Sequence, residues 1–213
     1  MKDIYSRVEA ATVSLHGYPS DPATVGQAVL VRNGYFMTAA HCVEYDLTGR
    51  LALDRDHILY DIETAQGVKL KASPVIIEPC SDIAVLCEPD GQVFFKEWED
   101  YNDFCNKTRP LSLYRRRISN FPAEFRVHIY AHKKVWIRGK ATVYRDHSSI
   151  ILIDADDNIE GGTSGGPIIN DAGELVGIVS NSGGTAGETK QGSSPAPRWA
   201  LPAWIYHEIC RAS

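Results

Sequence analysis

The sequence predicts an all-β chain, on three observations. Short runs rich in Val, Ile, Tyr and Thr recur along most of the 213 residues, and such side chains suit a pleated, half-buried surface. Gly, Asp, Asn and Pro separate these runs at regular intervals, the punctuation of a barrel or a sandwich. A polar, acidic stretch near residues 94–110, "FFKEWEDYNDFCNKTRP", divides the runs into two groups.

In the first group, "ATVSL", "GQAVLVRNGYFMTAA", "HILYDI", "VKLKASPVII" and "DIAVLCE" read as strands. In the second, "FRVHIYA", "KVWIRGKATVYR", "SIILIDA", "GPIIN", "ELVGIVSN" and "RWALPA" do. "NDAGEL", from Asn170 to Leu175, is a hairpin turn signal. The acidic stretch is the connection between two β units and has room for a helical turn. In the tail, "PAWIYHEICR" carries Trp204, Ile205 and Ile209 at helical spacing with Glu208 outward, which predicts a short C-terminal helix. Residues 182–197, "SGGTAGETKQGSSPAP", read as loop. The expected organisation is an N-terminal β unit over 1–95, a connection over 96–110, and a C-terminal β unit with its helix over 111–213.

Composition narrows the function. The net charge of −5 argues against a general nucleic-acid binder. The basic run Arg115-Arg116-Arg117 reads as a solvated face, with docking of an acidic partner as the other reading. No stretch is long and apolar enough to span a membrane, and "MKDIYSRVEAATVSL" has no apolar signal-peptide core. Cys42, Cys80, Cys87, Cys105 and Cys210 are an odd number, so at least one has no partner within the chain. A reducing, cytoplasmic compartment with thiols is expected. The cysteines lack zinc-ligand spacing, and neither a metal nor a cofactor is expected.

"IEGGTSGGPIIN" places four glycines around Ser164. Glycine is costly to order, so the cluster needs a reason. A plain turn is one. A phosphate loop fails, because no Lys follows the glycines and a strand start follows where a helix is needed. A nucleophile loop is the third reading, and it needs a base and an orienting acid elsewhere. "MTAAHCV" puts His41 at a strand end after small residues, and "CSDIAVL" puts Asp82 before an apolar strand. His, Asp and Ser in that chain order match one of the known serine-nucleophile arrangements. His16, His128, His132, His147 and His207 lack the small-residue setting of His41. His57, Asp54, Asp56 and Asp61 read as surface charges.

On "TAAHC", "SDIAVL", "TSGGPI" and "GELVGIVSNS", the sequence resembles the trypsin/chymotrypsin-like serine peptidases over about Gly26 to Ile205. "DNIEGGTSGGPIIN" and "RWALPA" are closer in style to bacterial HtrA-like members, with "RWALPA" as the closing strand. The resemblance implies two six-stranded antiparallel β-barrels and a serine endopeptidase with a polypeptide substrate. It implies His41 as base, Asp82 as its orienting acid and Ser164 as nucleophile, with the N–H groups of Gly162 and Ser164 as the oxyanion hole. A substrate pocket would have Asn158 at its base beside Ile159, and walls from Ser180, Asn181, Ser182 and Gly183 and from the segment near Pro197–Trp199. A neutral Asn158 favours an uncharged residue, small to medium, before the scissile bond; a shift of one residue would instead put the Asp157 carboxylate there and select Arg or Lys, and Arg198 near the wall would select acidic side chains. Two departures stand out. Gly26 occupies the region where secreted relatives carry the disulfide partner of the Cys after the catalytic His, so Cys42 is expected as a thiol. Thr163 replaces the Asp that pairs with a new N-terminus in cleavage-activated relatives. The PDZ domain usual in HtrA proteins is not expected here. The alternative function is a non-catalytic or partner-activated binding module of the same fold in a bacterial stress or defence assembly. A regulatory protein partner is compatible with either; no nucleic acid and no membrane partner is expected.

Overall fold

Side chains along Ile150–Ala155 alternate between exposed and buried, which is what a strand with one face on a core must do. The same logic repeats through the computed structural model, which describes residues 1–16, 24–43, 59–116, 118–145, 147–182 and 191–211. Asp54, Asp56, His57, Arg117 and Gly183 lie outside the described residues.

Six strands form a closed antiparallel barrel: β1 (Thr12–His16), β2 (Thr24–Val31), β3 (Tyr35–Thr38), β4 (Tyr60–Thr64), β5 (Lys69–Glu78) and β6 (Ile83–Cys87). Their order is β1-β2-β3-β6-β5-β4, and the pairing of Val13 with Thr64 closes the ring. The second unit holds β7 (Ala123–Ala131), β8 (Val135–Val143), β9 (Ile150–Ala155), β10 (Pro167–Ile169), β11 (Leu175–Ile178), β12 (Asn181–Ser182) and β13 (Gln191–Pro195). Their order is β11-β10-β7-β8-β9-β13-β12. The chain is all-β in two units, as expected. The second unit is a curled seven-stranded sheet, however, because the two-residue β12 adds to the edge of β13. The curl brings β11 against β13: a Cβ on Gly177 would stand 1.9 Å from Ser194 Oγ.

Helices depart most from the sequence reading. The connection contains a full helix, α2 (Phe95–Lys107), longer than the expected turn. Its Tyr101 is buried and donates to the Gly34 carbonyl at 2.5 Å. "RWALPA" is not a strand. Pro197 sits at the first position of a short helix, α3 (Pro197–Ala200), where its fixed φ and missing N–H suit a helix start. The last strand of the sheet is instead β13, inside the segment expected as loop. A C-terminal helix, α4 (Ala203–Cys210), is present as expected.

An unexpected helix, α1 (Lys2–Ala11), opens the chain. It buries Val8 and Ala11, with Ile4 packed beside them. It packs on β1 and β2 and reaches the second sheet with its side chains. Tyr5 stacks on Trp136 of β8 at 4.0 Å, its hydroxyl bonds to His128 Nδ1 at 2.9 Å, and Arg7 donates to the Gly173 carbonyl at 2.7 Å. The other end of the chain makes the reverse crossing. Asn33, in the β2–β3 turn, donates to the Glu208 carbonyl of α4, and Ile205 and Ile209 join the core that contains Leu30 and Phe36.

Candidate active site

His41 lies in a single 3-10 turn, Ala40–Cys42, directly after β3. Buried Ala39 and Ala40 let this turn sit against the barrel. Asp82 lies in the turn before β6, with a left-handed backbone at φ 53°, a conformation that Asp tolerates better than most side chains. β3 and β6 pair directly, Thr38 against Ala84, so the two turns meet at one end of the barrel.

There the His41 N–H donates to Asp82 Oδ1 at 2.9 Å. His41 Nδ1 lies 3.0 Å from Oδ1 and 2.8 Å from Oδ2. A carboxylate only accepts, so Nδ1 carries the proton, and Nε2 of the neutral ring is left as the acceptor. The Ser180 hydroxyl adds a third donor, at 2.5 Å from Oδ2. The Asp82 hydrogen bond is the main cause that holds His41 above its ordinary pKa, with the Cys42 side chain second. For Asp82, burial alone raises the pKa. Hydrogen bonds from His41 and Ser180 outweigh it and keep the carboxyl ionised below its ordinary range.

Ser164 reaches this end of the barrel through its backbone. Its carbonyl accepts the Gln27 N–H of β2 at 2.7 Å. A Cβ placed on Gly26 would stand 2.6 Å from the Ser164 carbonyl oxygen and 2.6 Å from Cys42 Sγ, so the loop packs beside the residue that follows His41. Gly165 is obligatory here. Its φ is +79°, and a Cβ would lie 2.0 Å from the Gln27 carbonyl oxygen. Gly162 also has a left-handed backbone, at φ +85°. Among the described residues, no carbonyl accepts the N–H of Gly162 or of Ser164.

The structure thus places His41, Asp82 and the Ser164 loop together. Ser180 joins them through its hydroxyl, which points to Asp82. Asn158 is exposed, and its N–H is held by the Asp157 side chain. Ile159 packs against the second core. Asn181 and Ser182 pair through their backbones with Ser193 and Gly192. Pro197, Arg198 and Trp199, expected near the pocket wall, border a cavity with Phe121 and Phe125 at the start of β7. Two supports were not read from the sequence. Thr163 is fully buried and its Oγ1 accepts the His132 N–H at 3.1 Å. Lys133 pairs with Glu160 at 3.0 Å, tying the β7–β8 turn to the approach of the nucleophile loop. Both are contacts between distant segments, with no local signal.

A family model for the trypsin-like peptidase domain matches residues 26–178. No curated protein matches the sequence. Among solved structures, the chain is similar to the serine endoprotease from Yersinia pestis, at 18% identity and a TM-score of 0.64, covering 99% of this chain and 66% of that one. It is also similar to the HtrA-type protease AlgW, solved with a decapeptide, at 18% identity and a TM-score of 0.62, covering 98% of this chain and 66% of that one. The chain therefore spans just under two thirds of the length of each. At this identity the likeness speaks for the fold.

Proposed function

The chain belongs to the trypsin-like peptidase family, and we propose that it is a serine endopeptidase acting through Ser164, His41 and Asp82. The observation that carries this reading is the His41–Asp82 pair, closed by hydrogen bonds at 2.8 and 2.9 Å. A serine hydroxyl is a weak nucleophile at neutral pH and needs an adjacent base. Ser164 Oγ attacks the peptide carbonyl carbon as its proton passes to His41 Nε2. The carbonyl π-electrons move to oxygen, and the N–H groups of Gly162 and Ser164 receive that oxyanion. One such donor is worth on the order of 100–1,000-fold in turnover. The oxyanion then re-forms the carbonyl, the C–N bond breaks, and His41 returns its proton to the leaving amine. Water repeats the sequence on the acyl-enzyme and releases the acid. Asp82 holds the imidazole orientation and balances the imidazolium charge.

The substrate is a polypeptide, and the residue before the scissile bond is uncharged, with Asn158 and Ile159 near its side chain. Ser164→Ala is expected to abolish labelling by a fluorophosphonate probe and cleavage of a peptide library without changing the fold. Equal labelling of the variant would overturn the nucleophile. No labelling of the native protein would favour a non-catalytic binding module. Cleavage mainly after Arg or Lys would overturn the pocket reading.

The compartment proposed is the cytoplasm. It rests on the odd cysteine count and on Gly26 facing Cys42 Sγ, where a cysteine partner would be required. Thiol counting under denaturing, non-reducing conditions is expected to find five; three or one would place the protein in an oxidising compartment.

A further inference from the structure

The proposed catalysis leaves a pit and a cleft unused at the start of β7. The pit, of about 60 Å³, is walled by Ile118, Phe121, Phe125, Val143, Ile151 and Trp199 among others. A cavity of about 150 Å³ takes a whole benzene, so the pit accepts no more than the tip of one apolar side chain, such as the isopropyl end of a Leu. A cleft of about 510 Å³ opens beside it and shares Tyr114, Arg116, Ile118 and Phe125 with it. The far end of β7, at Ala131, leads into His132 and the Thr163 contact. With a rise of about 3.3 Å per residue, roughly 20 Å separates the pit from the nucleophile loop.

Charge gives the pit its character. Arg116, Arg145 and Arg198 border it, and among the described residues no carboxylate does. Arg198 lies over the Trp199 ring at 4.7 Å. Among the described residues, none of the three guanidinium groups has an ion pair. The adjoining cleft is of mixed charge: it carries Glu124, paired with Lys140, and Asp171 and Glu174, hydrogen-bonded to His128 and Asn170, beside Arg116 and Arg126. On a chain of net charge −5, three arginines around an apolar pit are a local inversion. Arg115 does not add to it, since it donates to the Cys210 carbonyl.

We propose that the pit and cleft form an exosite for an acidic stretch of the substrate polypeptide, with one apolar side chain in the pit and flanking carboxylates on Arg116, Arg145 and Arg198. The apolar walls call for an anchor, the guanidinium forks match carboxylates, and the cleft supplies length beyond one side chain. The proposal rests on the endopeptidase reading for the word substrate, but the site itself does not depend on catalysis.

The test uses the full chain with Ser164→Ala and a fluorescein-labelled peptide, Glu-Asp-Glu-Leu-Asp-Glu-Asp, followed by anisotropy. Binding is expected, weakened at least tenfold by Arg116→Glu with Arg145→Glu and retained within threefold by the corresponding Lys pair. Replacing the central Leu of the peptide by Ala is expected to cost about tenfold, or about 1.4 kcal/mol. No binding, equal binding by the Glu pair, or equal binding of the Ala peptide would overturn the exosite. Tighter binding of a single-stranded oligonucleotide to the same arginines would also overturn it. Fluorophosphonate labelling of the chain that retains Ser164 is read separately. Labelling without peptide binding sinks the exosite alone, whereas peptide binding without labelling keeps the acidic-peptide site and sinks the endopeptidase reading.

Discussion

Asp82 offsets its own burial by accepting from two directions: from His41, through ring and backbone, and from Ser180. These bonds set the pH behaviour of the site. The proposed mechanism needs neutral His41, so kcat/KM is expected to rise with pH through a limb above the ordinary histidine value of about 6.5, since the Asp82 bond raises His41. Asp82→Asn removes the charge, so the limb is expected to move down and kcat to fall by on the order of 10⁴. A pH–rate profile in which the limb stays in place would show that Asp82 is not the partner that matters. The linkage to stability has opposite signs for the two groups. The raised His41 contributes stability that is full below about 6.5 and lost as pH rises through its folded value. The lowered Asp82 contributes stability that is present above its ordinary value of about 3.9 and lost as pH falls through its folded one. The Asp82→Asn variant is therefore expected to lose both dependences.

Strands with alternating or continuous apolar runs, such as those now seen as β2, β6, β7 and β8, were legible because burial on one or both faces writes itself into the local sequence. β13 was not, since its Gly192, Ser193 and Ser194 are small for a tertiary reason: Ser194 lies against Gly177 of β11. "RWALPA" misled because its apolar residues suit a strand, while Pro197 and Pro202 frame a helical turn. At the candidate site, the residues that meet, His41, Asp82 and the Ser164 loop, are the ones that small-residue and glycine flanks single out in the sequence. The Ser180 bond to Asp82 and the Thr163 bond to His132 were not legible, because each joins segments far apart in sequence. The same holds for α1. Its spacing of Ile4, Val8 and Ala11 is helical, but only the second sheet explains Tyr5, which stacks on Trp136 and bonds to buried His128. Tyr5→Phe keeps the stack and removes the hydroxyl, leaving a buried ring nitrogen without that partner at a cost of about 1–3 kcal/mol. For a chain of this size each kcal/mol is worth roughly 2–4 °C in Tm. A thermal melt unchanged by Tyr5→Phe would show that the stack alone holds α1.

The two β units are joined at their termini, in their core and at the site. α1 begins the chain and packs on β1 and β2, yet its Tyr5 reaches the second sheet, and α4 ends the chain yet packs on the first barrel. One continuous core combines Leu30, Phe36 and Leu86 from the barrel with Tyr130, Ile169 and Ile178 from the sheet and Ile205 from α4. The nucleophile loop itself hangs on β2 through the Gln27–Ser164 bond. Independent domains have their own cores and a boundary that few contacts cross; here the boundary near residues 94–110 is crossed from both sides. Unfolding either unit alone would strip a helix from the other and expose half of the shared core. Scanning calorimetry is therefore expected to give one cooperative transition, with calorimetric and van't Hoff enthalpies in agreement. Fragments 1–110 and 111–213, made separately, are expected to remain unfolded, since each would expose its side of the shared core. Two resolved transitions, or a fragment 111–213 that melts cooperatively by itself, would show that the second sheet is stable without the barrel and that the crossed termini add only local contacts.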